Sequence, residues 1–279
     1  MKILKPARVD NATALKLLCQ NSAISKPYIQ KIGKAYLQYV RRRGRPRALV
    51  PLNLPKAVVD ELYEFYKSKR KRDGLNWIAK YRRAAGLSHC PLCGNPGPSH
   101  LEHYLPRTPY AEFTIFSWNL LPSCGLCNGK RSNHANPPGE TNPLIHPYFD
   151  KLIYGEPMLS ARIVRPLGGV RFEPVAITSF DPPVLQRIER QIKACVDVDR
   201  FNNYLVSKWN IWRGKASEYG ETARIREELD RELRASVGPT GNNSWDAAFL
   251  RAILADNVAL DWLAQNVIDI TFAPSHANQ

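Results

Sequence analysis

A chain of 279 residues, 44% hydrophobic and 23% charged, is long enough to bury a core and too apolar to be disordered throughout. No run of about 18 apolar residues occurs, which excludes an ordinary membrane-spanning helix. The net charge of +15 is lopsided, since residues 1–89 hold 21 Lys+Arg against 5 Asp+Glu while the rest holds 19 against 20. A basic first third either keeps the protein soluble or receives a polyanion whose docking releases counterions.

The start, MKILKPARVD, has Pro6 and Arg8 breaking any apolar stretch, so no secretory leader is expected and a cytoplasmic protein is predicted. In that reducing setting the six cysteines read as metal ligands or buried thiols rather than disulfides. Residues 11–40 carry Leu15, Leu18, Ile29, Ile32 and Leu37 at helical spacing, predicting one or two amphipathic helices with Cys19 in the core. The run Arg41, Arg42, Arg43, Gly44, Arg45, Pro46, Arg47 follows. It reads either as an extended arm of the AT-hook type for the minor groove or as a basic loop between helices.

From Pro55 a second helical pattern passes through Val58, Leu62, Phe65 and Tyr66 into a basic cluster at 67–72, and a third spans Trp77 to Arg83 and ends near Gly86. Residues 90–149, rich in Cys, Pro, Gly and Asn, predict compact loops that need a staple. A hairpin is expected over 152–178 around Gly168 and Gly169, then helices over 182–214, 221–237 and 245–267, with Gly238, Pro239 and Gly241 separating the last two.

The staple is legible as two CxxC pairs, Cys90/Cys93 and Cys124/Cys127, with 30 residues between them. Four thiolates can close a tetrahedral Zn2+ site, and a site with no open position is structural. Cys19 and Cys195 stand outside this set. Such a zinc fits a DNA-binding module as well as an enzyme, so the residues between the pairs decide.

Those residues are Glu102 and His103 in LEHYLP, Asn119 in WNLLP, and Asn128 directly after Cys127, followed by Lys130 and Arg131. The order CxxC, [DE]-H-x-x-P, N-L-x-x-x-C-x-x-C-N resembles the HNH endonucleases over residues 90–132. It extends weakly to Leu144–Asp150, where His146 and Asp150 are candidates to support the site. The resemblance implies a ββα-metal finger in which His103 is the general base, Glu102 and Asn128 hold a catalytic Mg2+ or Mn2+, and Asn119 braces the loop carrying the histidine. It also implies an Asn128 near a helix start and a phosphate contact from Lys130 or Arg131. The other histidines, His89, His100 and His134, read as surface or supporting residues.

The fold expected is therefore α+β and mainly helical. A basic helical DNA-binding region (1–89) would precede a zinc-stapled HNH domain (90–150) and a hairpin with helices (151–279). The expected function is Mg-dependent hydrolysis of double-stranded DNA, one nick per site, with Arg41, Arg42, Arg43, Arg45 and Arg47 among the DNA contacts. Similarity to nuclease components of bacterial anti-phage systems such as Septu and type II Zorya implies a partner protein. The alternatives are a zinc-dependent regulator without catalysis and an RNA-directed nuclease.

Overall fold

The computed structural model describes residues 1, 3–67, 76–82, 87–131, 135–165 and 169–265. The sequence features at 68–72, Arg83, Gly86, His134, Gly168 and 266–267 lie outside these residues. The chain is mainly helical α+β, with two small antiparallel sheets. Among the described residues no helix is long and apolar enough to cross a membrane.

Helix α1 (Asn11–Cys19) starts on Asp10, whose side chain accepts from the amides of Ala12 and Thr13, as an N-cap carboxylate does. Helix α2 (Ile29–Arg41) buries Ile32, Ala35, Tyr36 and Tyr39, an i, i+3, i+4, i+7 stripe. Leu37 falls on the opposite face of that helix and is 62% exposed, so it does not belong to the core as its spacing from Ile29 suggested. Tyr36 and Tyr39 take the inward positions, packing against Phe113 and Phe116.

The arginine run is a turn, not an extended arm. Arg43 and Gly44 adopt left-handed φ values of 55° and 67°, and the Gly44 amide closes back on the Tyr39 carbonyl at 2.9 Å. A 3-10 turn over Pro46–Ala48 follows, with Pro46 buried and its carbonyl accepting from the Tyr110 hydroxyl. The five arginines themselves are exposed. Helix α3 (Lys56–Lys67) buries Val58, Leu62 and Phe65, and helix α4 (Asn76–Arg82) reaches the next sheet.

Strands β1 (His100–His103) and β2 (Leu120–Ser123) pair antiparallel with Glu102 opposite Leu121 and His103 opposite Leu120. Helix α5 (Gly125–Lys130) follows at once and packs on β1. After α6 (Lys151–Gly155) come β3 (Leu159–Val164) and β4 (Arg171–Ala176), the expected hairpin. Helices α7 (Pro182–Cys195), α8 (Val198–Tyr219), α9 (Thr222–Thr240), α10 (Trp245–Leu254) and α11 (Asn257–Gln265) close the chain.

Helix α9 runs through Gly238 and Pro239 rather than stopping before them. Pro239 has no amide to give the Ala235 carbonyl, but the turn continues past it, with the Thr240 hydroxyl on the Ser236 carbonyl at 2.8 Å and the Gly241 amide on Val237 at 2.9 Å. Gly241, at φ 86°, ends the helix.

Residues just past α9 return to the first cysteine pair. The Trp245 indole donates to the Cys93 carbonyl at 2.8 Å, and its amide to the Gly94 carbonyl at 3.1 Å. Gly94 has φ 82°, and a Cβ there would sit 2.1 Å from the Asn243 carbonyl oxygen, so only glycine fits.

Candidate active site

The four thiolate positions converge. Cys90, Cys93, Cys124 and Cys127 are buried, and their sulfurs lie within 4.8 Å of one another. Two of the separations are 3.9 Å (Cys90 to Cys127) and 3.6 Å (Cys93 to Cys124). A tetrahedron with Zn–S bonds of about 2.3 Å has edges of about 3.8 Å, so the set fits zinc. Backbone amides of Cys124 and Asn95 point at Cys90 and Cys93 sulfurs, as they do around metal-bound thiolates. The site is closed on all sides, which is the structural form. It ties the 90–94 turn to the start of α5.

His103 ends β1, and its Nε2 lies 2.9 Å from the Thr114 carbonyl. A carbonyl only accepts, so Nε2 carries the proton and Nδ1 is left as an acceptor. Burial, with a smaller contribution from the Arg107 charge, outweighs the Thr114 hydrogen bond and lowers the imidazole pKa to about 4, so the ring is neutral at physiological pH. One residue earlier, burial raises the Glu102 carboxyl to about 7 despite the nearby Arg131 and Arg107 charges. With its amide nitrogen turned inward, Asn128 donates to the Leu101 carbonyl at 3.1 Å and to Glu102 Oε2 at 3.0 Å. The strand pair and helix thus bring Glu102, His103 and Asn128 to one place.

Asn119 is buried and joins both ends of the long β1–β2 connection. Its Oδ1 accepts from the Leu105 amide at 2.8 Å, and its Nδ2 donates to the Leu105 carbonyl at 3.1 Å and toward Phe113 at 3.4 Å. The Tyr39 hydroxyl from α2 donates to the same Oδ1 at 3.0 Å. His146 completes the chain. Its Nδ1 accepts from the Tyr148 amide at 3.2 Å, so Nε2–H faces the Tyr39 oxygen at 3.1 Å. Asp150 accepts from the His146 amide at 2.8 Å and pairs with Arg187 at 2.6 Å, fixing this turn from behind.

Three placements differ from the sequence reading. Asn128 is the fourth residue of α5, and its amide is already bonded to Cys124 at 3.1 Å, so it offers no free N–H at a helix start. Lys130 donates to the Val196 carbonyl at 2.7 Å at the end of α7. Arg131 is 2% exposed, with one nitrogen reaching the Tyr104 carbonyl at 3.4 Å. Arg131 is thus buried, whereas Lys130 stays exposed with its ammonium tied to the end of α7, which packs on α5. Of the distal arginines, Arg43 donates to the Phe149 carbonyl at 2.7 Å, and the 41–47 turn abuts the His146 segment.

Several residues at the site carry no motif signal. Tyr66 of α3 lies with its ring 4.9 Å from that of His103 and donates to the Leu101 carbonyl at 3.3 Å. Arg107 sits 3.7 Å over the Tyr63 ring, and Arg82 5.6 Å from the Tyr66 ring. Only the density of Tyr and Arg in 61–83 hinted at them.

No family model matches the chain. It is 33% identical over 110 residues to Protein ea31 of Escherichia phage lambda, covering 39% of this chain and 37% of that protein. It is 40% identical over 50 residues to the Septu protein PtuB of Bacillus thuringiensis, 18% of each chain. The chain thus spans well under half the length of either relative. No solved structure matches.

Proposed function

We propose that this protein is a metal-dependent DNA endonuclease of the HNH kind, with its centre in residues 90–131. The observation that carries the reading is the pairing of a neutral His103, its Nε2 tied to Thr114 and its Nδ1 open, with Glu102 and Asn128 in mutual contact beside it. A histidine held in that tautomer can take a proton from water as the water oxygen forms a bond to phosphorus and the O–P bond to the 3′ oxygen breaks.

The donor set beside the base fits a hard divalent ion. A carboxylate and an amide supply oxygen ligands, and burial of Glu102 favours a positive partner. Glu102 and Asn128 would hold Mg2+ or Mn2+, which when bound supplies charge stabilisation at the phosphate and leaving oxygen. Asn119 keeps the 104–119 loop, and with it the Thr114 carbonyl, in place against His103. The cysteine cluster holds the frame and takes no chemical part.

The excess of 21 basic over 5 acidic residues in 1–89 supports duplex DNA as the polyanion. One centre per chain supports one nick per engagement. The Septu name on one relative supports a role in anti-phage defence beside a partner protein. The test is a supercoiled plasmid incubated with Mg2+ or Mn2+ and either wild type or His103→Ala. Open circles with wild type alone are expected. Failure of wild type to nick under any of these metals removes the nuclease reading and leaves a zinc-stapled DNA-binding protein.

A further inference from the structure

We propose that Arg82 and Arg107 are the phosphate-binding pair of this site, Arg107 seated on the Tyr63 ring of α3 and Arg82 held beside Tyr66 of the same helix. The inference rests on the nuclease reading and supplies a phosphate contact that the buried Arg131 does not offer and that the exposed Lys130, whose ammonium is bonded to the Val196 carbonyl, offers only by breaking that bond.

The arrangement is layered. Tyr63 and Tyr66 are three residues apart on α3 and so lie side by side on one face of the helix. Arg107, four residues beyond His103, is stacked 3.7 Å over Tyr63, and Arg82, the last residue of α4, stands 5.6 Å from the Tyr66 ring. Tyr66 is in turn 4.9 Å from the His103 ring. The two cations therefore flank the base from α4 and from the loop after β1.

Their electrostatic state sets them apart from the other cations nearby. Lys67 also lies over Tyr63, at 4.4 Å, but it is paired with Glu64 at 2.5 Å. Among the described residues neither Arg82 nor Arg107 forms an ion pair, and both remain only partly buried. Stacking uses the flat face of the Arg107 guanidinium and leaves its N–H edge for an anion, while Arg82 gives one N–H to the Tyr66 hydroxyl and keeps the others for a phosphate. On the loop that leaves β1 at His103, Arg107 is the cation nearer in the chain to the base. Arg107 thus takes the reacting phosphate, and Arg82, beyond Tyr66, a neighbouring one on the same strand.

The experiment compares wild type, Arg107→Ala, Arg107→Lys, Arg82→Ala and Arg224→Ala, the last an exposed arginine on α9 that controls for loss of charge alone. Affinity for a labelled 20-base-pair duplex is measured by anisotropy in EDTA across a salt series, and plasmid nicking with Mg2+. Zinc content and thermal midpoint verify folding. Arg82→Ala and Arg107→Ala are each expected to flatten the log–log salt slope by about one. Arg107→Ala should also cut kcat/KM about 100-fold, with Arg107→Lys in between. Folded variants with wild-type slope and rate, or an Arg224→Ala that flattens the slope equally, overturn the proposal. A wild type that neither binds nor nicks overturns the nuclease reading itself, which is a different outcome.

Discussion

The Tyr39 hydroxyl, near the end of α2, donates to Asn119 Oδ1 at 3.0 Å and so links the basic N-terminal region to the loop that orients His103. Burial raises the Tyr39 hydroxyl pKa well above its ordinary value, so it stays a donor. Tyr39→Phe removes this bond while leaving the Leu105 amide on Asn119. A stability loss of about 1 kcal/mol in urea denaturation is expected. The nicking rate should fall with duplex affinity unchanged; a variant equal to wild type in both stability and rate would show that the link is idle.

His103→Ala removes, among the described residues, the neutral imidazole whose Nδ1 is left as an acceptor beside Glu102. Nicking should drop by about 100-fold or more. Zinc content and DNA affinity should stay as in wild type, measured by metal analysis and anisotropy.

Cys124→Ser breaks the thiolate set at the residue that also starts α5. A protein purified without stoichiometric zinc is expected, with a thermal midpoint lowered by about 10 °C or more. A strong chelator should do the same to wild type, and loss of zinc without loss of stability would contradict a structural role.

Asp246 gives a pH signature remote from the chemistry. Burial alone would raise its carboxyl, but hydrogen bonds from His89 at 3.0 Å, Lys208 at 2.7 Å and Tyr204 at 2.9 Å outweigh this and hold it well below the usual carboxylate range. A depressed folded pKa means that the contribution is complete above the unfolded value near pH 4 and is lost as pH falls below it. The gap in thermal midpoint between wild type and Asp246→Asn should be full at pH 7 and shrink below pH 4; a gap unchanged at pH 3 would refute the assignment.

The CxxC spacing and the LEHYLP and WNLLP segments made the metal set and the Glu102–His103 step legible, because they depend on residues close in sequence or fixed by a shared ion. The hairpin, expected over 152–178, and the terminal helices were readable in kind from periodicity and turn residues but not in extent: 151–155 is helical, the stretch 182–214 is broken at 196–197, and α9 runs to Thr240. Tyr39, Tyr66, Arg82 and Arg107 were not, since each meets its partner only after helices far apart in the chain have packed. Tyr39 in particular sits in an amphipathic stripe where its ring alone explains its position, and the partner of its hydroxyl is 80 residues away. Lys130 and Arg131 were misleading for the reciprocal reason. Their spacing after Asn128 said nothing of the burial of Arg131 or of the end of α7, whose Val196 carbonyl takes the Lys130 ammonium.

Gly94, closed against the Asn243 carbonyl, and Trp245, donating to Cys93, complete the turn of the first cysteine pair from a stretch about 150 residues downstream. The hairpin and helix that carry His103 are consequently not a cassette. Transplanted to another scaffold without residues 241–245, they would arrive with the Cys93 carbonyl and the Gly94 turn uncovered, and a change engineered ahead of α10 would be transmitted to the thiolates as directly as one made beside them.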